Sequence, residues 1–238
     1  MKRSGGAAGA LVALARRYDL DRAATGRLEA LLDTLATDPQ APTSVSDPVE
    51  AVDAHLADSL VALELAPVRD AHRLADLGSG AGFPGLALAV GLPAAEVTLV
   101  ESTGRKCEFL IRAIAAAGLG NAGVACRRAE EWAEGREACD LVTARALASL
   151  PVVAEYAAPL LRLGGSLVAW KGRRDPVEER DGAAAAARLG LEVAEVRAVR
   201  PFPEARDRHL HVLRKVAPTP PEFPRRPGAA AKRPLRAG

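Results

Sequence analysis

Residues 74–89, LADLGSGAGFPGLALA, set Gly78, Gly80, Gly82 and Gly85 between two apolar runs, directly after an acidic residue and directly before a helical pattern. Glycine takes positive φ without a Cβ clash and lets a ligand come close to the backbone. A loop so dense in glycine is therefore shaped to lie against something. The apolar run before it ends in Asp76-Leu77-Gly78, which puts the loop at the carboxyl end of a strand, where open α/β sheets bind their ligands.

The chain around this loop follows one rhythm. From Arg73 onward, short apolar runs alternate with helical stretches. RLADL precedes a helix near 84–91 and EVTLV one over 105–118, whereas AGVAC precedes a polar turn. DLVTA leads to a helix starting near Ser149, and GSLVAW to one near 176–189. LEVAEVRAV and HLHVLRK read as two late strands. Such alternation predicts an α/β fold with a mostly parallel sheet covered by helices on both faces. Three helical patterns come first, over 7–18, 22–36 and a third that Asp47 caps and Pro48 begins. In the third, Val49, Val52, Leu56, Leu60 and Leu63 step by three and four along one face. The divisions expected are a helical region over 1–66, the α/β domain over 67–216 and a tail over 217–238.

Composition narrows the function classes. With 49% hydrophobic residues but only 3% aromatic ones, the core must be filled by alanine, leucine and valine. The opening MKRSGGAAGALVALARRYD mimics an export signal, yet it is rich in glycine and alanine and Arg16-Arg17 follow it, so it reads as a short amphipathic helix. No run approaches the length of a membrane span. Cys107, Cys126 and Cys139 are odd in number and lack metal-binding spacing, which suits a reduced, cytoplasmic compartment and no metal. The tail holds Arg225, Arg226, Lys232, Arg233 and Arg236 against Glu222. It is Pro-rich and basic, and it reads as disordered, lending nonspecific electrostatic help with RNA. The remainder is slightly acidic, so nucleic acid would be held by a local patch.

A dinucleotide fingerprint, G-x-G-x-x-G, would need its third glycine where Phe83 stands. The pattern is instead D-x-G-x-G-x-G, which resembles the signature of S-adenosylmethionine-dependent methyltransferases. Glu101, at the end of the second strand, is placed to accept hydrogen bonds from ribose hydroxyls, a role it could equally serve for NAD. DLGSGAGFPG (76–85), ESTGRKCEFL (101–110), RALASL (145–150), HLADSL (55–60) and DRHLHVLRK (207–215) together resemble the ribosomal RNA small subunit methyltransferase G family, also called glucose-inhibited division protein B. That resemblance implies a Rossmann-like class I methyltransferase fold, S-adenosylmethionine as cofactor, and methylation of ring N7 of guanine 527 in 16S rRNA, free or within the small ribosomal subunit. The family's donor site falls on Gly78, Phe83, Ala129, Glu130 and Arg145, with Gly80, Gly82 and Glu101 beside them from the loop reading. Three departures stand out: Thr43-Ser44-Val45 upstream of His55, Ala144 before the arginine, and the basic tail.

For the acceptor, Arg145, Lys171 and Arg208 are the candidate RNA contacts, with Arg173, Arg174, Arg206 and His209 as further basic residues. His55 and Asp58 lie three apart on a helix, where capping or packing is the expected role. Guanine N7 carries an in-plane lone pair and needs no deprotonation, so no side chain is expected to act as an essential base. The chain lacks the Asp/Asn-Pro-Pro-aromatic motif of exocyclic-amine methyltransferases and a Pro-Cys nucleophile. The rival readings are a methyltransferase of another RNA position or a small metabolite, and a non-catalytic nucleotide-binding module.

Overall fold

The computed structural model describes residues 6–45 and 47–238. The residues Met1–Gly5 of the opening segment lie outside it. Seven strands form one sheet in the order β3-β2-β1-β4-β5-β7-β6: β1 (Arg73–Leu77), β2 (Glu96–Glu101), β3 (Ala122–Cys126), β4 (Cys139–Arg145), β5 (Leu161–Lys171), β6 (Leu191–Ala198) and β7 (His209–Lys215). The first five pair in parallel, and β7 runs antiparallel between β5 and β6. The chain moves from β1 outward to β2 and β3, then returns to β4 on the other side of β1. That reversal opens a crevice at the carboxyl ends of β1 and β4. β1 is buried at four of its five positions on both faces, as a central parallel strand must be when helices cover both sides, and Asp76 is the one polar residue among the four.

One face carries α6 (Gly85–Gly91), α7 (Gly104–Ala116) and the N-terminal helices α1 (Gly6–Arg17) and α2 (Arg22–Thr37). Leu28, Leu56, Leu86 and Phe109 share a single core there with Leu74, Leu99 and Leu141 of the sheet. The helical region expected over 1–66 thus packs into the same core as the α/β part. The other face carries α8 (Leu150–Ala157) and α9 (Pro176–Arg188), packed on Val142, Leu167 and Leu213. Cap chemistry sets several boundaries. Asp21 accepts from the Ala24 N–H (2.7 Å) and Asp47 from Glu50 N–H (2.8 Å). Asp175 accepts from the N–H groups of Val177 and Glu178.

The third helical pattern is not one regular helix. Its first turn, α3 (Pro48–Ala51), passes into a π-helical stretch over Val52–Ala57, then α4 (Asp58–Leu60) and a 3-10 turn over Val61–Glu64, followed by α5 (Ala66–Arg69). The wider turn keeps Val52, Leu56 and Leu60 buried and buries His55 and Asp58 beside them. π-turns of this kind recur where a helix must present a functional side chain.

Two expectations are corrected. The tail over 217–238 is not a disordered segment: Phe223, Ala230 and Leu235 are buried, and a short helix, α10, spans Ala229–Lys232. Its prolines and cations dominate the composition, but three spaced apolar residues suffice to anchor it. The cysteines also differ from free, reduced thiols, because Cys107 and Cys126 form a disulfide with Cα atoms 5.8 Å apart, leaving Cys139 free and buried. The pairing is hidden in sequence because parallel pairing sets Cys126 opposite Glu101, close to the first turn of α7.

Candidate active site

The glycine loop closes over the end of β1. Gly78 and Ser79 donate their N–H groups to Val100 O of β2 (2.8 and 3.3 Å), and Gly82 N–H donates to Ser79 O (2.7 Å). Gly78 and Gly82 sit at φ +64° and +94°, where a side chain is strained. A Cβ on Gly82 would lie 2.2 Å from Leu86, and one on Gly85 would lie 2.3 Å from Leu99. Asp76 organises this turn from below. It is fully buried; its Oδ1 accepts from the Thr143 hydroxyl (2.8 Å) and its Oδ2 from Gly85 N–H (3.3 Å). Burial pushes its pKa up to about 6 against the opposing pull of Thr143, Ser79, Gly85 and Arg145. The acidic residue of the motif therefore shapes the loop instead of facing a ligand.

Glu101 holds the opposite wall. Its Oε2 accepts from Gly80 N–H (3.1 Å), and its Oε1 from the N–H groups of Ser102 and Thr103 (2.8 and 2.9 Å). Burial alone would raise its pKa, but these hydrogen bonds, aided by the Lys106 charge, hold it below the usual carboxylate range. Each carboxylate oxygen has two acceptor lone pairs, so the ionised group keeps capacity for further donors. Gly78, Glu101, Ala129 and Glu130 all line one cavity of about 380 Å³, together with Lys106, Leu147 and Tyr156. The last three escaped sequence reasoning. Only the position of Lys106, five residues after Glu101 on the next helix, offered a signal.

The remaining candidates gather elsewhere on the same edge. Phe83 is buried and stacks on His55, ring centroids 4.9 Å apart, outside the wall of that cavity. Arg145, at the end of β4, donates from Nη1 to Asp58 Oδ2 (2.8 Å) and Ala54 O (2.7 Å). Trp170 Nε1–H donates to Asp58 O (2.7 Å), and Arg208 Nε lies 3.5 Å from Asp58 Oδ1. His55 Nε2 meets the Thr43 hydroxyl at 3.1 Å, while its Nδ1 is buried with no hydrogen-bond partner. Burial, aided by the Arg145 charge, pushes the His55 pKa down to about 4, so the ring is neutral at pH 7. Asp58, Phe202 and Arg208 line a second cavity of about 720 Å³.

The comparisons with known proteins bear on what these cavities serve. Residues 29–211 match the family model described as rRNA small subunit methyltransferase G. The chain belongs to that family. Among its rRNA small subunit methyltransferase G relatives, the Rubrobacter xylanophilus protein is 46% identical over 77% of this chain and 73% of its own length. The one from Chloroflexus aggregans is 44% identical over 81% and 82%. In the solved structures, a SAM-dependent O-methyltransferase from Thermotoga maritima superposes with a TM-score of 0.55 over 80% of this chain and 72% of its own, at 17% identity. That likeness shows the shared Rossmann-like methyltransferase fold. The matched residues contain the glycine loop, Glu101, Ala129-Glu130, Arg145 and Arg208.

In this member of the methyltransferase G family, the basic candidates are differently committed. Lys171 is not free: it pairs with Glu178 (2.5 Å) and donates to Ala148 O (3.2 Å). Arg174 pairs with Glu179. Arg173 and Arg206 are exposed, and His209 Nδ1 lies 2.9 Å from Gly172 O. Among the described residues no group of three His, Cys, Asp or Glu is placed to hold a metal, and no helix is long and apolar enough to cross a membrane.

Proposed function

We infer that this protein is a methyltransferase that uses S-adenosylmethionine to methylate ring N7 of guanine 527 in 16S rRNA, in the cytoplasm, where the small ribosomal subunit is assembled. The single observation that carries the donor assignment is the cavity between Gly78 and Glu101, in a chain of this family. The residues present fit the cofactor. The loop offers bare backbone, the ionised Glu101 can accept from two ribose hydroxyls, and the Ala129-Glu130 turn stands where an adenine edge would lie.

When bound, S-adenosylmethionine supplies a sulfonium-activated methyl group that an in-plane nitrogen lone pair can take in one displacement. The chain's own task is then alignment and exclusion of water. Arg145, bonded to Asp58 and Ala54, ties these two lining residues of the larger cavity to the end of β4, from which Ala146 and Leu147 continue into the wall of the donor cavity. The target base enters through that larger cavity, with Phe202 as an apolar wall and Arg208 at its mouth as the charge for the RNA backbone. Lys171, already paired, serves by tethering the 148–150 turn to α9 and contacts RNA only if that pair opens. Because N7 has no proton to lose, no residue acts as an essential base, and neutral His55 is a packing group under Phe83.

The test is transfer of labelled methyl from S-adenosylmethionine to naked 16S rRNA, to assembled small subunits and to a pool of small metabolites, with the modified position mapped. Label at guanine N7 in rRNA is expected. Label confined to metabolites or to another RNA position would overturn the reading.

A further inference from the structure

Past β7 the chain lies as a strap over the sheet face that carries α8 and α9. Lys215 donates from its buried Nζ to the Thr219 hydroxyl and to Ala158 O, fixing the strap's start. Phe223 inserts into the core beside Leu189 and Leu191, with the Arg188 guanidinium 5.5 Å from its ring. Arg225 then makes a two-pronged pair with Glu155 of α8, Nε to Oε1 at 2.8 Å and Nη2 to Oε2 at 2.5 Å, where Glu155 is only 1% exposed. Three residues on, the Gly228 N–H donates to Glu130 Oε1 at 2.9 Å. Ala230 and Leu235 are buried after it, and Ala237 N–H reaches Asp181. Gly228 is thus pinned on both sides.

Glu130 belongs to the turn that lines the donor cavity. The crossover from β3 to β4 holds only two one-turn 3-10 helices, Ala129–Glu131 and Ala133–Gly135. The first is bound locally by Glu131 N–H to Arg128 O (3.0 Å) and a long 3.4 Å contact from Trp132 N–H to Ala129 O. A turn this short, with so few ladder bonds, opens readily unless a side chain is held from outside. We propose that the C-terminal strap is a positioning element of the methyl-donor site, gripping the Glu130 carboxylate through Gly228 so that the Ala129-Glu130 turn is preset against the adenine. With that carboxylate oxygen engaged by the strap, the turn presents its backbone to the ligand. The family match ends at residue 211, so the strap is a part of this chain that the matched region does not contain. The proposal rests on the donor-site reading above.

The test is calorimetric binding of S-adenosylmethionine, well below the melting temperature, to the full-length protein and to Phe223→Ala, Glu130→Ala and the double variant. Each single change is expected to weaken binding about tenfold, the cost of ordering a turn of this size on binding. The double variant should bind no more weakly than the weaker single one. Leu235→Ala, a milder loosening further along the strap, should shift affinity in the same direction by less. In turnover of Phe223→Ala and Leu235→Ala, the KM for the donor should rise while kcat and the KM for RNA stay near their original values. Wild-type affinity in Phe223→Ala and Leu235→Ala, with only the melting temperature lowered, would overturn the proposal, as would losses that multiply in the double variant. Failure of the unaltered protein to bind the donor would instead sink the donor-site reading.

Discussion

The cavity beside Gly78 and Glu101 takes its walls mainly from consecutive strand ends, each followed directly by the turn that lines it: 77–78, 100–106, 127–130 and 146–147. The cavity beside Asp58 is assembled from an irregular helix before the sheet and a loop near its end, 47–58 and 202–208. In the first, backbone geometry does the shaping, through glycines at positive φ and N–H groups aimed at one carboxylate. In the second, the lining residue Asp58 is held in place by side chains from far along the sequence: Arg145 and Arg208 at its carboxylate and Trp170 at its main-chain carbonyl. A backbone-built site tolerates change in its neighbours but not in its glycines. A site built from paired side chains depends on each pair.

The largest effect should come from adding a single methyl group to the backbone-built side. Gly82→Ala forces an L residue to φ +94° with its Cβ 2.2 Å from Leu86, and is expected to cost about 3 kcal/mol in stability. Donor affinity in calorimetry should fall by about a hundredfold. Near-normal donor binding would break the contrast between the two cavities.

Arg145→Ala is the matching change on the other side. It leaves Asp58, which is buried, with Arg208 at 3.5 Å as its remaining ion pair among the described residues. A stability loss of about 2 kcal/mol is expected, with kcat/KM for RNA reduced by about a hundredfold in a protein that still folds. Unaltered turnover would remove Arg145 from the site.

The acid limb of stability sharpens the comparison, because each side holds one displaced group and their signs differ. His55 has a folded pKa of about 4 against 6.5. Its unfolded form therefore takes up a proton first as pH drops below 6.5, and stability is lost from there down to about 4. Asp76, raised to about 6 from 3.8, binds its proton first in the folded state, so its contribution is fully present below 3.8 and is lost as pH rises through 6. The two partly cancel in the native protein. His55→Gln removes only the first. Between pH 7 and pH 5, its unfolding free energy should move by about 2 kcal/mol in the variant's favour relative to wild type, as read from urea titrations at the two pH values. Parallel curves would contradict the buried, neutral imidazole.

The smallest effect belongs to the exposed cations of the strap. Replacing Arg226, Lys232, Arg233 and Arg236, all exposed, with glutamine should weaken RNA binding less than about tenfold, mostly at low salt, and flatten the salt dependence. A loss of target choice at unchanged salt slope would show that these residues read sequence or shape.

What could be read from the sequence divides along the same line. The alternation of strands and helices, the cap at Asp47, the helix start near Ser149 and the loop-plus-Glu101 constellation were all legible because each is a local pattern of a few residues. The π-helical stretch at Val52–Ala57 was not, since its apolar residues satisfy a regular helical period equally well and the departure is set by what Arg145 and Trp170 bind across the fold. The strap misled for a related reason. Composition weighs its five cations and many prolines, whereas three apolar residues and the Arg225–Glu155 pair, 70 positions apart in the chain, decide its fate. The Asp of the glycine motif was legible as a residue, but its task was not: Thr143, which takes up its Oδ1, lies on a strand 67 residues away.

Whether the donor occupies the cavity between Gly78 and Glu101 is seen most directly in a crystal of the protein soaked with S-adenosylmethionine. The ribose hydroxyls should lie within hydrogen-bond distance of the Glu101 carboxylate, with the adenine against Ala129-Glu130 and the methyl group turned toward Arg145. A donor molecule seated in the Asp58 cavity, or a Glu101 still bonded only to its own backbone neighbours with the ligand elsewhere, would contradict it.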